Sequence, residues 1–236
     1  MAETHRFTLT KPARLLYSSI TSKSAPKGVQ NATAKFSGTF GLEKEDLDLI
    51  IPIMVNAIKG ELGSFSTPDQ YYLAASSGKT AAARAIAKGE FDAQGKSSDD
   101  AFKIMEKANA RAKLYSEYAG ILTASSQYDI ELARLEGGRI IDIAADEHAR
   151  AQAGKDYFYP GAYVVPAVAF KAFRRKNLEA KDGCTAYLQN CLFIRKGEKI
   201  GGLGGPANNE VFGNFAGYTA EDPLANAPSS DDQPDF

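Results

Sequence analysis

Alternating apolar and polar or small residues predict two strands near the start of the chain. One spans Arg6 to Ile20 and the other spans Ala34 to Leu42. In the second strand the apolar or small residues of one face are Ala34, Phe36, Gly38, Phe40 and Leu42. A period of two is typical of a strand that buries one face, so we expect both segments to form part of a sheet.

The middle of the chain changes to a helical pattern. Apolar residues at helical spacing predict helices over Glu45 to Lys59, Thr80 to Lys88 and Ser97 to Tyr115. The last of these begins with a Ser-Ser-Asp-Asp sequence that resembles a capping box, and its apolar residues share one face. We therefore expect helices to fill the middle of the chain.

Strands return after this helical region. The pattern predicts them at Gly120 to Ser125, Arg139 to Ile143, Gly161 to Arg174 and Cys184 to Arg195. The early and late strands have to pair across the helices, which favours one mainly β domain of the α+β class over separate domains. We therefore predict a single domain over residues 1–218 with an α-helical insertion at about 61–118.

Composition places the chain among ordinary globular proteins, with an exception at its end. Hydrophobic residues make up 44% of the 236 residues, which is enough for a normal core. Residues 219–236 contain five acids and neither Lys nor Arg, so this segment carries a charge of -5. Since the whole chain carries -1, the remainder carries +4. The body of the chain is therefore mildly basic, and its end carries the opposite charge.

The acidic segment 219–236 is predicted to be a flexible, disordered tail. It has neither helical nor strand periodicity, and its aspartates resist burial. Such tails are commonly interaction segments, and a tail of this kind can also compete with a polyanion for the basic surface. The candidate partner-binding residues are Asp231, Asp232, Asp235 and Phe236. The alternative is an end that only increases solubility.

The sequence does not support a membrane, export or metal-binding role. The longest apolar run, Ala162 to Phe170, is too short to cross a bilayer, and the first residues lack the apolar core of a signal peptide. We therefore expect a cytoplasmic chain without a membrane partner. Cys184 and Cys191 fit neither a disulfide framework nor a zinc site, so we expect two reduced thiols and no metal.

Two glycine-containing segments resemble nucleotide-binding motifs without completing them. Residues 77–80, Ser-Gly-Lys-Thr, match the second half of a P-loop, but Leu73 stands where the first glycine is required. Residues 202–207 formally match G-x-G-x-x-A, yet no helical pattern follows them. No catalytic group of residues is evident, so we expect neither an enzyme nor a cofactor. A phosphate-binding enzyme built on the P-loop half-motif stays as an alternative.

The segment DYFYPGAYVVPAVAFKAFRRKN, Asp156 to Asn177, combines aromatic and cationic residues on one face of a predicted strand. With a period of two, that face consists of Tyr163, Val165, Ala167, Ala169, Lys171, Phe173 and Arg175. Arg174 and Lys176 stand beside the last of these. Single-stranded nucleic acid requires rings on which unpaired bases stack, cations for the phosphates and small residues between them. The alternative is that Tyr163 and Phe173 pack beneath the helical insertion.

The next predicted strand partly repeats this arrangement. Its inward positions are Ala186, Leu188 and Leu192, and its outward positions are Tyr187, Gln189, Phe193 and Arg195. The sequence does not determine which face binds. The candidate nucleic-acid-binding residues of both strands are Tyr163, Lys171, Phe173, Arg174, Arg175, Lys176, Tyr187 and Phe193.

The order of these motifs resembles that of a known family. The segments GTFGL, YAGILTASS, GRIIDI, YFYPGAYVVPAVAFKAF and GCTAYLQNCLFIRKGEKIGG, followed by the acidic end, are similar to those of the phage-encoded single-stranded DNA-binding proteins, a family defined through an Enterobacter phage protein. The similarity covers nearly the whole chain. It is most specific in Tyr-Pro-Gly-Ala-Tyr, in the Phe-Lys-Ala-Phe that follows, and in Gly-Glu-Lys-Ile-Gly-Gly after the last strand.

The resemblance implies an OB fold, a five-stranded barrel that is elaborated here by the helical insertion. It also implies sequence-independent binding of single-stranded DNA during phage DNA replication, recombination or repair, and an acidic tail that recruits other replication proteins. Tyr163, Lys171 and Phe173 match outward positions of the family's strand. A structural phage protein with a β core stays as an alternative.

Overall fold

The computed structural model describes residues 5–25, 32–67, 70–175 and 181–200, all within one compact unit, Met1–Leu203. Lys176 and the acidic segment 219–236 with its candidate residues lie outside the described residues. The described strands are β1 (His5–Thr8), β2 (Ala13–Ser24), β3 (Lys35–Leu42), β4 (Tyr72–Leu73), β5 (Ala75–Ser77), β6 (Gly120–Ser126), β7 (Glu131–Glu136), β8 (Arg139–Ile143), β9 (Tyr163–Phe173) and β10 (Gly183–Arg195). The described helices are α1 (Lys44–Leu62), α2 (Gly78–Ala93), α3 (Ser98–Ser116) and α4 (Glu147–Asp156). The predicted α+β class is confirmed.

Five of the strands pair in a ring. Its order is β2, β3, β6, β10, β9 and back to β2. The pairing of β6 with β10 is parallel, and the other four pairings are antiparallel. The β6–β10 and β9–β2 pairings each extend over only two residue pairs. The ring is therefore partly open at these two places.

The expectation of a simple five-stranded barrel is wrong in its strand count. β1 lies beside β9, β7 and β8 extend the sheet beyond β10, and the short β4 and β5 pair with β10 and β6. The segment from Arg6 to Ile20, predicted as one strand, is divided into β1 and β2. The division falls before Pro12, which has no backbone N–H to donate to a strand pairing. The described part of the chain thus forms one ten-stranded sheet.

The hydrophobic core lies inside the ring and beneath α1. Ring strands contribute the fully buried side chains of Leu15, Phe40, Leu122, Val168 and Phe170. From α1 come Ile50, Met54 and Ile58, whose helical spacing predicted this buried face. The helix ends at Gly63, whose φ of 82° is readily adopted by glycine.

A helical hairpin, α2 and α3, lies between β5 and β6. Gly89 of α2 approaches Ala108 of α3 so closely that a Cβ at Gly89 would collide with the alanine side chain. Ser97 caps α3 as predicted, because its Oγ accepts a hydrogen bond from the Asp100 N–H at 3.3 Å. The hairpin, together with α1, β4 and β5, is inserted between β3 and β6 of the ring.

The pattern did not predict α4. Its N-terminus is capped by Asp146, whose Oδ1 accepts a hydrogen bond from the Ala149 N–H at 2.9 Å. Arg150 is buried within it and donates from Nη2 to the Ile130 carbonyl at 2.7 Å. The helix packs against β2, and Gly154 leaves room for Thr21 there. A buried arginine in a polar sequence masks the amphipathic pattern that would otherwise predict this helix.

Candidate nucleic-acid interface

The Tyr-Pro-Gly-Ala-Tyr turn before β9 and the segment after β10 hold each other in place. The Tyr159 hydroxyl donates to the Gly197 carbonyl at 3.0 Å and accepts from the Gly197 N–H at 3.2 Å. Gly161 has a φ of 107°, and a Cβ there would collide with the Glu198 carbonyl oxygen, so this position requires glycine. The turn therefore determines where β9 begins and which of its residues face outward.

β9 has the alternation that the sequence predicts. Its fully buried side chains are Val164, Val168 and Phe170. On the opposite face Tyr163 and Phe173 are half-buried and Lys171 is exposed. Ala169, between them, is covered but contributes only a methyl group. The outer face of β9 thus has aromatic and cationic side chains on either side of small ones.

Tyr187 and Phe193 lie on opposite faces of β10. Tyr187 is 42% exposed, whereas Phe193 is 7% exposed and packs against Tyr157 with ring centroids 5.0 Å apart. The register with β9 shifts between Leu188 and Asn190, and such a bulge inverts the alternation that follows it. The structure therefore corrects the prediction for Phe193, because a ring in the core has no face available to a base.

Lys171 and Tyr187 are brought together in an open cavity of about 480 Å³. This outer-face cavity is also lined by Arg6, Tyr128 and Gln189. Ala169 pairs with Arg6 of β1 on one side and with Tyr187 of β10 on the other. A cation and a ring therefore stand on either side of a small residue, which allows a flat base to approach the sheet.

The outer-face cavity is close to neutral in charge. Its cations are Arg6 and Lys171, and its acids are Asp129 and Glu131. Glu131 accepts a hydrogen bond from the Asn190 side chain. Among the described residues neither Arg6 nor Lys171 forms an ion pair with an acid. Neither cation is therefore neutralised by a neighbouring acid.

Tyr163 is covered by arginines instead of facing the solvent freely. The Arg195 guanidinium carbon lies 3.5 Å from the centroid of its ring, and that of Arg14 lies 5.5 Å from it. Arg14 is held from Nη2 by the Glu198 carbonyl at 2.9 Å. A base can stack on Tyr163 only if Arg195 moves, but a guanidinium plane is itself a stacking surface. Tyr163 consequently positions cations at this end of β9.

The other end of β9 carries Phe173, Arg174 and Arg175. The Phe173 ring lies 6.3 Å from that of Tyr72 in β4, measured between centroids. Arg174 and Arg175 are exposed, and Arg174 donates from Nη2 to the Glu61 carbonyl at 3.2 Å. The backbone N–H of Arg175 donates to Asp182 Oδ1 at 2.6 Å. The predicted site residues of β9 are therefore spread along the strand, and only Lys171 joins Tyr187 in the outer-face cavity.

Two tyrosines beside arginines remain neutral. Burial raises the pKa of Tyr115 and of Tyr118 above the usual value for a phenol. The charges of Arg111 beside Tyr115 and of Arg14 beside Tyr118 oppose this increase without reversing it. Both hydroxyls therefore stay protonated near neutral pH and add no negative charge beside these arginines.

Sequence reasoning missed Arg6 and Tyr128 as residues of the outer-face cavity. Arg6 lies in β1, and only the pairing of β1 with β9 places it beside the predicted site residues of β9. Tyr128 is 79% exposed and follows β6 in a turn held by Ser126, whose Oγ donates to the Tyr128 carbonyl and accepts from its N–H. In the sequence, the signal for Tyr128 is an aromatic residue within the polar segment Ser-Ser-Gln-Tyr-Asp.

The P-loop half-motif forms the start of α2. The Gly78 N–H donates to the Ala119 carbonyl at 3.1 Å, and the Thr80 N–H donates to Ser77 Oγ at 3.2 Å. A Cβ at Gly78 would collide with the carbonyl oxygens of Tyr115 and Tyr118. These amides are already engaged and do not surround an open space for a phosphate. The glycine is explained by the packing of α2 against the end of α3.

The cysteines and acids of the described residues suggest no metal or thiol chemistry. Burial raises the pKa of Cys184 to about 12 and also raises that of Cys191, so both thiols stay protonated and weakly reactive. Residues 5–25, 32–67, 70–175 and 181–200 contain no cluster of three potential metal ligands. Within the same ranges no helix has the length and apolar character needed to span a membrane.

Comparisons with known proteins identify the fold. No protein-family model and no curated protein sequence matches this chain. Among solved structures, the C-terminally truncated single-stranded DNA-binding protein from bacteriophage Enc34 is similar with a TM-score of 0.50 at 12% identity, covering 83% of this chain and 88% of that one. The same Enc34 protein in complex with ssDNA gives a TM-score of 0.49 at 14% identity over 84% and 89% of the two chains.

A more distant similarity links the chain to gp2.5, a single-stranded DNA-binding protein encoded by bacteriophage T7. It has a TM-score of 0.45 at 8% identity and covers 93% of this chain and 97% of that one. The truncated Enc34 structure, which aligns with most of both chains, identifies the fold. The predicted resemblance is thus confirmed at the level of structure: this chain has the fold of a phage single-stranded DNA-binding protein.

Proposed function

We propose that this chain binds single-stranded DNA without sequence preference and without enzymatic activity. The observation behind the proposal is the outer-face cavity, in which Tyr187, Lys171 and Arg6 surround the small Ala169 on an open sheet surface. Unpaired nucleotides require a ring on which a base stacks, cations for the phosphates and a small side chain beneath the base. The shared fold with the Enc34 protein, which is named for binding single-stranded DNA, supports the same assignment.

We propose further that the five-stranded ring is an OB-fold core. An OB fold is a partly open, five-stranded Greek-key barrel. The ring places its strands in the chain order first, second, third, fifth, fourth, and it is incompletely paired at two places. The additional strands and the helices are then elaborations of this core. This interpretation explains why the outer face, rather than an enclosed cavity, is available for binding.

The residues of the interface have different proposed roles. Tyr187 and Tyr128 supply ring faces for bases, and Lys171 and Arg6 bind phosphates. Around Tyr163, the guanidinium of Arg195 supplies a further charged plane. At the far end of β9, Phe173, Arg174 and Arg175 extend the surface that contacts the DNA strand. The predicted contribution of Lys176 lies outside the described residues and stays part of the proposal.

Binding of single strands is expected to be tighter than binding of duplexes, because paired bases cannot stack on protein rings. Fluorescence anisotropy with labelled oligonucleotides of the same sequence, single-stranded and duplex, checks this at several salt concentrations. The logarithm of the single-strand affinity should fall with the logarithm of salt concentration by about 0.7 per phosphate neutralised. Oligonucleotides of different sequence should differ little. Equal affinity for single strands and duplexes would contradict the proposal.

We also propose that residues 1–218 form the binding domain and that residues 219–236 form a flexible tail. The tail would recruit proteins of phage DNA replication, recombination or repair in the cytoplasm of an infected bacterium. Its proposed contacts are Asp231, Asp232, Asp235 and Phe236. The opposite charges of the tail and the rest of the chain support competition between the tail and DNA for one surface.

Removal of the tail after Gly217 is expected to strengthen DNA binding, because a segment of charge -5 no longer competes with the strand. Anisotropy titrations of the full and truncated chains at low and high salt measure the change. The difference between the two chains should diminish as salt increases, since screening weakens the competition. A truncated chain that binds DNA more weakly than the full one would refute tail competition.

A further inference from the structure

A groove beneath the helical hairpin is lined by three cations, Arg84, Lys88 and Arg111. It lies between α2, α3 and β6 and has a volume of about 260 Å³. Its principal side chains are Tyr72, Arg84, Lys88, Arg111, Tyr115 and Thr123, and no described Asp or Glu lines it. The outer-face cavity, by contrast, has as many acids as cations. We call this surface the hairpin groove.

Arg111 is fixed at one wall of the hairpin groove. Its Nε donates to the Tyr17 hydroxyl at 3.3 Å, and its guanidinium carbon lies 5.0 Å from the centroid of the Tyr17 ring. The Tyr17 ring meets the Tyr115 ring edge to face, with centroids 6.3 Å apart. These contacts hold the guanidinium without neutralising it, since neither partner is an acid. A positioned, uncompensated arginine is suited to a phosphate.

Arg84 provides a second available charge on α2. It is exposed, and among the described residues it has neither an ion pair nor a hydrogen bond. Lys88, one turn further along the same helix, is instead paired with Asp92 at 2.8 Å. The structure thus distinguishes an unpaired cation in the hairpin groove from a paired one. Of the two, Arg84 is the better phosphate ligand.

The hairpin groove and the outer-face cavity lie on neighbouring, paired strands. Thr123 lines the groove, and Ser125, two residues along β6, lies on the same face of that strand. Ser125 pairs with Tyr187 of β10, which lines the outer-face cavity. At the other edge of the groove, the 47% exposed Tyr72 lies beside Phe173 of β9. The route from the outer-face cavity to the groove thus leads across the paired strands β10 and β6.

We propose that the hairpin groove is a second contact site for the same DNA strand, in which Arg84 and Arg111 bind phosphates and Tyr72 stacks a base. This inference rests on the proposed function and adds a specific path to it. The helical insertion then serves as a wall that extends the DNA site beyond the sheet. The path also gives a role to the exposed Tyr72, which the pairing of β4 with β10 places next to Phe173.

The test compares two charge reversals, Arg84→Glu and Arg139→Glu. Both arginines are exposed, and Arg139 lies in β8, away from the hairpin groove. Affinity is measured for an oligonucleotide of about 5 nucleotides, which the outer-face cavity alone can hold, and for one of about 20. Arg84→Glu should weaken binding of the longer strand about tenfold and reduce its salt slope by about 0.7, with little change for the shorter strand.

The controls separate this inference from the proposed function. Arg139→Glu should leave both affinities within about twofold, and Tyr72→Ala should weaken the longer strand about tenfold without changing the salt slope. An Arg84→Glu variant that binds the longer strand as the unmodified chain does would overturn the hairpin groove as a DNA site. Equal losses in Arg84→Glu and Arg139→Glu would overturn it too. An unmodified chain that binds neither oligonucleotide would overturn the proposed function itself.

Discussion

Phe193→Ala is expected to reduce the free energy of unfolding by about 3–5 kcal/mol, the usual result of removing a phenylalanine from a packed core. Phe193 is 7% exposed, and its ring lies 5.0 Å from that of Tyr157 and 6.5 Å from that of Phe158. Alanine would leave a cavity that these rings fill only in part. Urea unfolding, monitored by circular dichroism, measures the change in midpoint.

The matched control for Phe193→Ala is Phe102→Ala. Phe102 is 71% exposed on α3, so its loss should change the free energy of unfolding by no more than about 0.5 kcal/mol. Under conditions in which both variants are folded, neither should alter DNA affinity by more than about twofold. Equal midpoints for the two variants would mean that Phe193 is not a core residue. A weakened DNA affinity with unchanged stability would restore it to the interface.

The bulge in β10 shows where strand periodicity fails. A period of two assigned Tyr187 and Phe193 to the same face, which is correct only for an uninterrupted strand. Between them the register with β9 shifts, and Cys191 and Phe193 face the core while Leu192 is half-buried on the other side. A bulge depends on how two strands fit together, so the sequence of one strand does not reveal it. Tyr187, before the bulge, was predicted correctly to face outward.

The motifs that carried the family resemblance act mainly through architecture. The Tyr159 hydroxyl of Tyr-Pro-Gly-Ala-Tyr forms hydrogen bonds with the Gly197 backbone of Gly-Glu-Lys-Ile, and Gly161 approaches the Glu198 carbonyl closely. The sequence showed both motifs without showing that they touch. Their contact explains why they indicated the fold well. One motif precedes β9 and the other follows β10, so the contact between them constrains both strands. It does not by itself identify the residues that contact a ligand.

The elements that sequence reasoning missed depend on distant partners. β4 and β5 are two and three residues long, too short for a periodic signal, and form because β10 and β6 pair with them. The hairpin groove likewise requires α2, α3 and β6 to meet. Tyr72 was not predicted as a site residue. Its neighbourhood arises from tertiary contacts, which single-sequence patterns do not contain.

Tyr187→Ala is expected to weaken single-stranded DNA binding by about 1–3 kcal/mol, or roughly 5- to 150-fold, because one stacked base loses its platform. Tyr187 is 42% exposed in the outer-face cavity, so its removal should alter stability little. The salt slope should be unchanged, since a phenol ring releases no counterion. Anisotropy titration at several salt concentrations measures affinity and slope together.

Two further variants determine whether the ring itself is responsible. Tyr187→Phe keeps the stacking surface and should retain most of the affinity, whereas Lys171→Ala, in the same cavity, should reduce the salt slope by about 0.7. Phe91→Ala removes an aromatic ring that is 71% exposed on α2 and lines neither the cavity nor the hairpin groove, so it should bind DNA as the unmodified chain does. If Tyr187→Ala also binds like the unmodified chain, bases do not stack in the outer-face cavity, and the strand must follow another surface.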